Sequence, residues 1–288
     1  GNRFMEGGEI TKQILDVEIH VKEGVDTPKM IEGMGYGSFD YESRTILFSP
    51  EKPNLDAITV IVPGFGHQKA SVGEAFEEHA KYLAKNLNTQ VALALPNTSD
   101  EEGLAAWMLP GLGFSLALHD TIEQLDKVYP RRDINIVVFS GSCWEIALKG
   151  LDDERVRSIT FVAPSDNPYD IVSVFREIGS KVEYEADGSA RVGQRKRIVI
   201  PALVKSPYSQ AEVLNDLKEA GDMLRQAGVT LSVLVGEGDP IVKRYRSNRF
   251  AEGIGAEPEV VRPVKAKGSK IHDFDDEKMR EAILHSVL

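Results

Sequence analysis

The sequence contains a single cysteine, Cys143, among its 288 residues. An intramolecular disulfide is therefore impossible, and a metal cluster held by several cysteines is excluded as well. Long apolar runs are also missing: none approaches the roughly eighteen consecutive apolar residues that a membrane-spanning helix needs, although 42% of the chain is hydrophobic. Together these shortages predict a cytoplasmic protein without a membrane span.

Positive charge is scarce too. The chain has 34 Lys and Arg against 45 Asp and Glu, which gives a formal net charge of −11 at pH 7. Because nucleic-acid binding depends on clustered Lys and Arg, this balance argues against a nucleic-acid partner. The basic stretch at residues 191–197 is a local exception. We interpret it as a solvated loop beside the acidic stretch at residues 183–187.

Internal repeats and low-complexity segments are absent, which excludes solenoids and propellers. The chain instead alternates strand-like and helical patterns. Strands are predicted at Ile14–Val21, Thr45–Phe48, Ala57–Val62, Gln90–Ala94, Ile134–Phe139, Ser158–Val162, Thr230–Val235 and Glu259–Val264. Helices are predicted at Val72–Leu87, Phe114–Tyr129, Gln210–Ala227 and Asp276–Val287. The alternation predicts an α/β fold with a mostly parallel central sheet and helices on both faces.

One stretch, residues 164–207, breaks this alternation. It contains Asp187-Gly188, which is typical of a hairpin turn between two short strands. We interpret it as an insertion between the sixth and seventh main strands. The chain is thereby divided into a core formed by residues 1–163 and 208–288 and an inserted segment, residues 164–207.

Four short segments carry residues suited to acyl transfer by a nucleophilic side chain. They are Pro63-Gly-Phe-Gly66, Phe139-Ser-Gly-Ser-Cys-Trp144, Gly236-Glu-Gly-Asp-Pro-Ile-Val242 and Gly268-Ser-Lys-Ile-His-Asp273, each at the end of a predicted strand or after it. This chemistry needs a nucleophile, a base that takes its proton, an acid that orients the base, and two N–H groups for the oxyanion. The four segments contain a candidate for every role.

The chain order of serine, aspartate and histidine in these segments resembles that of the α/β-hydrolase family, from about Ile14 to the C-terminus. The resemblance implies the α/β-hydrolase fold, with residues 164–207 as a cap over the active site. It also implies a small-molecule acyl substrate and neither a metal nor an organic cofactor.

By the same resemblance, individual residues acquire expected roles. Asp239, in a strand-end string similar to the family's G-x-x-D-P, would be the acid, and His272 would be the base. The backbone N–H groups of Phe65 and Gly141 would form the oxyanion hole. The other histidines within predicted strands or helices are interpreted as structural or solvent-facing: His20, His79, His119 and His285.

Three side chains compete for the role of nucleophile, because the segment departs from the family's G-x-S-x-G. Ser140 directly follows its strand and has small neighbours two and three positions later, although Val138 stands two positions before it. Ser142 has the bulky Trp144 two positions later. Cys143 resembles the dienelactone-hydrolase elbow, G-x-C-x-G, in its first glycine only. Steric considerations favour Ser140, with Ser142 and Cys143 as alternatives.

The predicted function is hydrolysis of an ester, thioester or related acyl substrate by a serine esterase or thioesterase. A peptidase of the same fold would carry the same triad. The alternative from another class is a catalytically silent protein that binds a small ligand or a protein partner, and the irregular segment around Ser140 is its support. The oligomeric state is not predicted by any pattern in the sequence.

Overall fold

The computed structural model describes residues 9–22, 38–64, 74–96, 113–128, 131–149, 153–166, 171–177, 179–186, 190–192, 198–200 and 210–288. The strands within these ranges are β1 Thr11–Lys22, β2 Ser38–Ser49, β3 Asn54–Val62, β4 Thr89–Pro96, β5 Asp133–Phe139, β6 Val156–Val162, β7 Val182–Tyr184, β8 Ala190–Val192, β9 Ile198–Ile200, β10 Thr230–Gly236 and β11 Pro258–Val261. The helices are α1 Glu74–Leu87, α2 Gly113–Asp126, α3 Ser142–Lys149, α4 Ile171–Glu177, α5 Gln210–Gln226, α6 Arg244–Ile254, α7 Ser269–His272 and α8 Glu277–Val287. No helix in these ranges is both long and apolar enough to cross a membrane.

Eight strands form one central sheet in the order β1-β2-β4-β3-β5-β6-β10-β11. Strands β1 and β2 are antiparallel to their neighbours, whereas β4, β3, β5, β6, β10 and β11 run parallel to one another. The carboxyl ends of the parallel strands therefore meet at one edge, which is where ligands bind in open α/β sheets. The predicted mostly parallel sheet is confirmed.

The central strands β4, β5 and β6 are buried on both faces, and alternate residues enter two separate cores. Along β5, for example, Ile136 and Val138 face one core while Val137 and Phe139 face the other. Helices α2, α3, α5 and α6 contribute to the first core, and α1 and α8 to the second. Helices thus cover both faces, as predicted, and continuous apolar strands such as β4 are explained by this double burial.

The last strand of the sheet is shorter than predicted. β11 ends at Val261, not at Val264, and Pro263 lies between these two positions. Proline has no N–H to donate to a ladder, so it interrupts the pairing. The N–H groups of residues 264–266 instead donate to one carboxylate oxygen of Asp276, at 2.7 to 3.1 Å.

Residues 164–207 lie between β6 and α5. Their described part contains α4 and a separate three-stranded antiparallel sheet, β7-β8-β9. Strands β7 and β8 pair as the predicted hairpin, with Tyr184 opposite Ala190, while Asp187 and Gly188 lie outside the described residues. These strands do not join the central sheet, so the segment is an addition to the α/β layers.

Candidate active site

Ser140 is the first residue after β5, and it connects this strand to helix α3. Its φ is +56°, in the left-handed region, which costs a residue with a side chain roughly 1–2 kcal/mol. Hydrogen bonds hold the turn from two sides: the Ser140 N–H donates to the Val162 carbonyl at 2.9 Å, and the Ser140 carbonyl accepts from the Cys143 N–H at 3.2 Å. This strained turn leaves Ser140 partly exposed at the carboxyl edge of the sheet.

The two alternative nucleophiles, Ser142 and Cys143, lie inside the protein. Ser142 is fully buried, and its hydroxyl donates to the Phe139 carbonyl at 2.6 Å. Cys143 is also fully buried, with its thiol 3.3 Å from the Val138 carbonyl oxygen. Burial raises the pKa of the Cys143 thiol well above its ordinary value, so the reactive thiolate is disfavoured. Neither side chain is presented to a substrate.

Asp239 follows β10 through a tight turn in which Gly238 has a φ of +80°. The carboxylate is almost completely buried, with 2% of the side chain exposed. One oxygen accepts backbone N–H bonds from Ile241 at 2.8 Å and Val242 at 3.1 Å. These two donors fix the carboxylate plane and leave the second oxygen free to accept from another group.

His272 ends the single-turn helix α7, in the connection between β11 and α8. Residues with positive φ lie on both sides of this turn, Gly268 at +61° and Phe274 at +53°. Phe274 is fully buried, and Ile271 packs against the backbone of Gly236 at the end of β10. The connection is therefore fastened to the core on both sides of the histidine.

The His272 imidazole bridges the other two side chains. Its Nδ1 lies 2.8 Å from Asp239 Oδ2, and its Nε2 lies 3.1 Å from Ser140 Oγ. An ionised carboxylate only accepts hydrogen bonds, so Nδ1 carries the proton in the neutral ring and Nε2 is left to accept from the serine hydroxyl. The three residues that the sequence predicted as nucleophile, base and acid thus form one continuous hydrogen-bonded chain.

Of the two expected oxyanion donors, Phe65 and Gly141, the structure describes only Gly141. Phe65 lies outside the described residues. Within the described part of the chain, the Gly141 N–H donates no backbone hydrogen bond, and a Cβ atom added at Gly141 would meet nothing within 4 Å. The oxyanion role of both N–H groups stays a prediction.

Gly64, at the end of β3, passes very close to the serine. A Cβ atom at Gly64 would lie 2.8 Å from Ser140 Cβ and 3.1 Å from the Phe139 carbonyl oxygen. Real Cβ atoms essentially never approach another atom this closely, so only glycine fits at this position. Gly64, which belongs to the glycine-rich segment predicted after β3, is therefore packed against Ser140.

Comparison with known proteins adds evidence on the fold. No family model matches the sequence, and no curated protein matches it either. Among solved structures, Est1E from Butyrivibrio proteoclasticus has a TM-score of 0.56 at 13% identity, over 86% of this chain and 95% of that one; it has also been solved with ferulic acid bound.

Two further structures extend the comparison to nearly the whole chain. Carboxyl esterase 2 (TmelEST2) from Tuber melanosporum has a TM-score of 0.53 at 14% identity, over 99% of this chain and 86% of that one. An alpha-beta serine hydrolase homologue from Coxiella burnetii has a TM-score of 0.50 at 12% identity, over 94% and 97%. The chain has the α/β-hydrolase fold. At these identities the likeness establishes the shared fold alone.

Within the α/β-hydrolase fold, three interactions of buried side chains were not predicted from the sequence. His79 on α1 is buried and hydrogen bonds the backbone beside His272. Asp276 accepts N–H bonds from residues 264–266 and from Lys278. Arg246 on α6 pairs with Asp166 after β6. Of these, only the burial of His79 could have been predicted from a local sequence pattern, because His79 stands three residues after Phe76 and so lies near the apolar side of its helix.

The charges around the site also have a clear physical pattern. Burial raises the pKa of the Asp273 carboxyl beside His272, and the nearby Asp275 and Asp239 charges add to the rise, although His272 opposes it. At Asp276, burial works against ionisation, but the backbone N–H donors outweigh it and lower the pKa. Among the described residues, no group of three or more His, Cys, Asp or Glu side chains could hold a metal ion.

Proposed function

We propose that the protein is a serine hydrolase that acts on an ester, thioester or related acyl substrate through an acyl-enzyme intermediate. One observation carries the proposal: His272 lies within hydrogen-bond reach of both Ser140 and Asp239, while the backbone at Ser140 adopts the left-handed conformation that presents its hydroxyl. Fold alone would not require this arrangement, because the same fold hosts many functions.

In the proposed first step, Ser140 Oγ attacks the substrate carbonyl carbon while its proton passes to His272 Nε2. The imidazolium that forms is stabilised by the buried Asp239 carboxylate, which also keeps the ring in the correct orientation. Negative charge develops on the substrate oxygen, and the N–H groups of Gly141 and Phe65 are the proposed donors to it. His272 then returns the proton to the leaving alcohol or thiol.

The second step releases the acid. Water takes the place of the leaving group, and His272 removes its proton as the oxygen attacks the acyl carbon of the Ser140 ester. Collapse of the resulting intermediate breaks the bond to Ser140 Oγ, and His272 reprotonates the serine. Every proton that moves passes through the one nitrogen, Nε2, that faces Ser140.

Substrate choice is proposed to reside in the inserted segment, residues 164–207, acting as a cap. A first substrate panel should contain short and long aliphatic esters, acyl thioesters and a peptide. Because Est1E binds ferulic acid, esters of aromatic acids belong in the panel too. We further propose a cytoplasmic location, since a single cysteine suits a reducing compartment.

The test is labelling with a fluorophosphonate probe, followed by mapping of the modified peptide. Wild type is expected to carry the label on Ser140, and Ser140→Ala to carry none. His272→Ala and Asp239→Asn are expected to label on the order of a thousandfold more slowly, because the serine loses its base or the orientation of that base. Ser142→Ala is the matched variant, and it is expected to remain labelled at Ser140.

Two results would contradict the proposal. A label on Ser142 or Cys143 would mean that a different nucleophile is used. Folded wild-type protein that takes up no label and hydrolyses nothing in the panel would favour the catalytically silent ligand-binding protein, and native mass spectrometry for a retained ligand would then be the next measurement.

A further inference from the structure

A buried histidine on α1 contacts the segment that carries His272. His79 is 1% exposed, and its Nε2 lies 2.7 Å from the carbonyl oxygen of Asp273, the residue that follows His272. The two residues are 194 positions apart in the sequence. Helix α1 is thereby joined by a side chain to the backbone of the connection between β11 and α8.

The chemistry of this contact fixes the state of the His79 ring. A carbonyl oxygen only accepts, so Nε2 must carry a proton and donate it. Burial lowers the pKa of His79 from 6.5 to about 4, with Arg280 lowering it further and both the Asp273 carbonyl and Asp275 opposing the shift. At neutral pH the ring is therefore uncharged and has one N–H, which donates its hydrogen bond to the Asp273 carbonyl.

The same ring also packs beside the serine. The centroids of the His79 and Phe139 rings are 5.5 Å apart with an interplanar angle of 33°, and Phe139 directly precedes Ser140. Phe76, one turn earlier on α1, contacts Phe139 edge-on at 4.8 Å. One side chain therefore touches both the strand end that carries Ser140 and the connection that carries His272.

We propose that His79 is a positioning residue, which sets the distance between the His272 imidazole and Ser140 by holding the Asp273 carbonyl against α1 and the β5 end. The proposal rests on the hydrolase function proposed above. His272 sits on a single helical turn between two residues of positive φ, so its backbone is held in place by the contacts of neighbouring residues and not by a strand or a long helix. A small displacement there changes the 3.1 Å separation on which proton transfer depends.

Two substitutions separate the hydrogen bond from the packing. His79→Phe keeps a ring against Phe139 but removes the N–H, and His79→Gln restores an amide N–H at a similar reach. His119→Gln, at an exposed position on α2, is the matched control. Each variant is assayed for kcat and KM on the best ester and for its rate of fluorophosphonate labelling, at a temperature where circular dichroism shows it folded.

The expected result is a fall in kcat and in labelling rate on the order of tenfold for His79→Phe, with KM nearly unchanged. His79→Gln should recover most of that loss, and His119→Gln should behave like wild type. If His79 served only stability, folded His79→Phe would turn over and label at the wild-type rate, and that outcome would overturn the proposal.

A measurement that needs no turnover separates this proposal from the proposed function. The proton NMR signal of the His272 Nδ1–H, which bonds to Asp239, should shift or broaden in His79→Phe and return in His79→Gln. An unchanged signal in His79→Phe would refute the positioning role even if wild type failed to label. Failure of wild type to label, with the NMR signal behaving as expected, would reject only the hydrolase function.

Discussion

At the scale of single residues, backbone conformation selects among three neighbouring side chains with similar chemistry. Ser140, Ser142 and Cys143 lie within four positions, yet only Ser140 is partly exposed and faces His272. Its positive φ turns the chain sharply enough that the next residues enter helix α3 and become buried. Exposure, set by one strained residue, is thus what separates the candidate nucleophile from the other two.

The contact between Gly64 and Ser140 leads to a prediction at this scale. Gly64→Ala would place a methyl group 2.8 Å from Ser140 Cβ, so either β3 or the serine must move. We expect the labelling rate at Ser140 to fall at least about tenfold, and the free energy of unfolding to fall by roughly 1–3 kcal/mol through overpacking.

Gly228→Ala is the control for this substitution. Gly228 follows α5 with a φ of +83°, and a Cβ there would meet nothing within 4 Å, so alanine should cost about 1 kcal/mol of stability through backbone strain alone. Its labelling rate should remain that of wild type. Equal labelling rates in the two variants would show that Gly64 does not constrain Ser140.

At the scale of elements, a buried ion cluster connects helix α6 to the beginning of the inserted segment. The guanidinium of Arg246 lies 3.0 Å from Asp166 and 2.9 Å from Glu177 on α4. Arg246 and Asp166 are 8% and 1% exposed. Tyr245 belongs to the same cluster, because its hydroxyl donates a hydrogen bond to Glu177 at 2.7 Å. These contacts join α4 to a helix of the central fold.

Because this cluster is buried, we expect two of its arginines to contribute very differently to the free energy of unfolding. Arg246→Ala leaves the Asp166 carboxylate buried without its main partner, and loss of one member of a buried pair costs about 3–5 kcal/mol. Arg249 is half exposed and lies 3.4 Å from Asp166. Arg249→Ala should therefore lower the free energy of unfolding by no more than about 1 kcal/mol. Urea denaturation of both variants measures the difference. Similar losses in the two would show that Asp166 does not depend on Arg246.

At the scale of the whole molecule, what the sequence predicts well depends on local pattern. Strands that are buried on both faces are predicted by their continuous apolar runs. Asp239 is predicted by the Gly-Glu-Gly-Asp-Pro turn that follows one of these strands. Helix α6 was not predicted because its buried side includes Arg246 and Ser247, which obscure the apolar period. These two polar residues are buried because their hydrogen-bond partners lie about 80 positions away, and no local pattern encodes those partners.

The free energy of unfolding should also depend on pH because His79 is uncharged in the folded protein. In the unfolded chain this histidine takes up a proton as pH falls below about 6.5, whereas in the folded protein its pKa is lowered to about 4 by burial. The unfolded state therefore binds more protons between these values, and the stability associated with His79 is complete above about pH 6.5 and is lost as pH falls toward 4.

The shift from 6.5 to about 4 corresponds to roughly 3 kcal/mol of unfolding free energy. Other groups also contribute to the pH dependence of stability, among them Asp273, whose pKa is raised by burial, so the comparison must be with His79→Gln, which keeps those groups and lacks the imidazole. Urea denaturation at several pH values from 7 to 4.5 should show wild type losing stability more steeply than His79→Gln, with the gap between the two changing by about 2 kcal/mol. Parallel curves would mean that His79 takes up its proton at the same pH in the folded and in the unfolded protein, and the uncharged state assigned to the buried ring would then have to be revised.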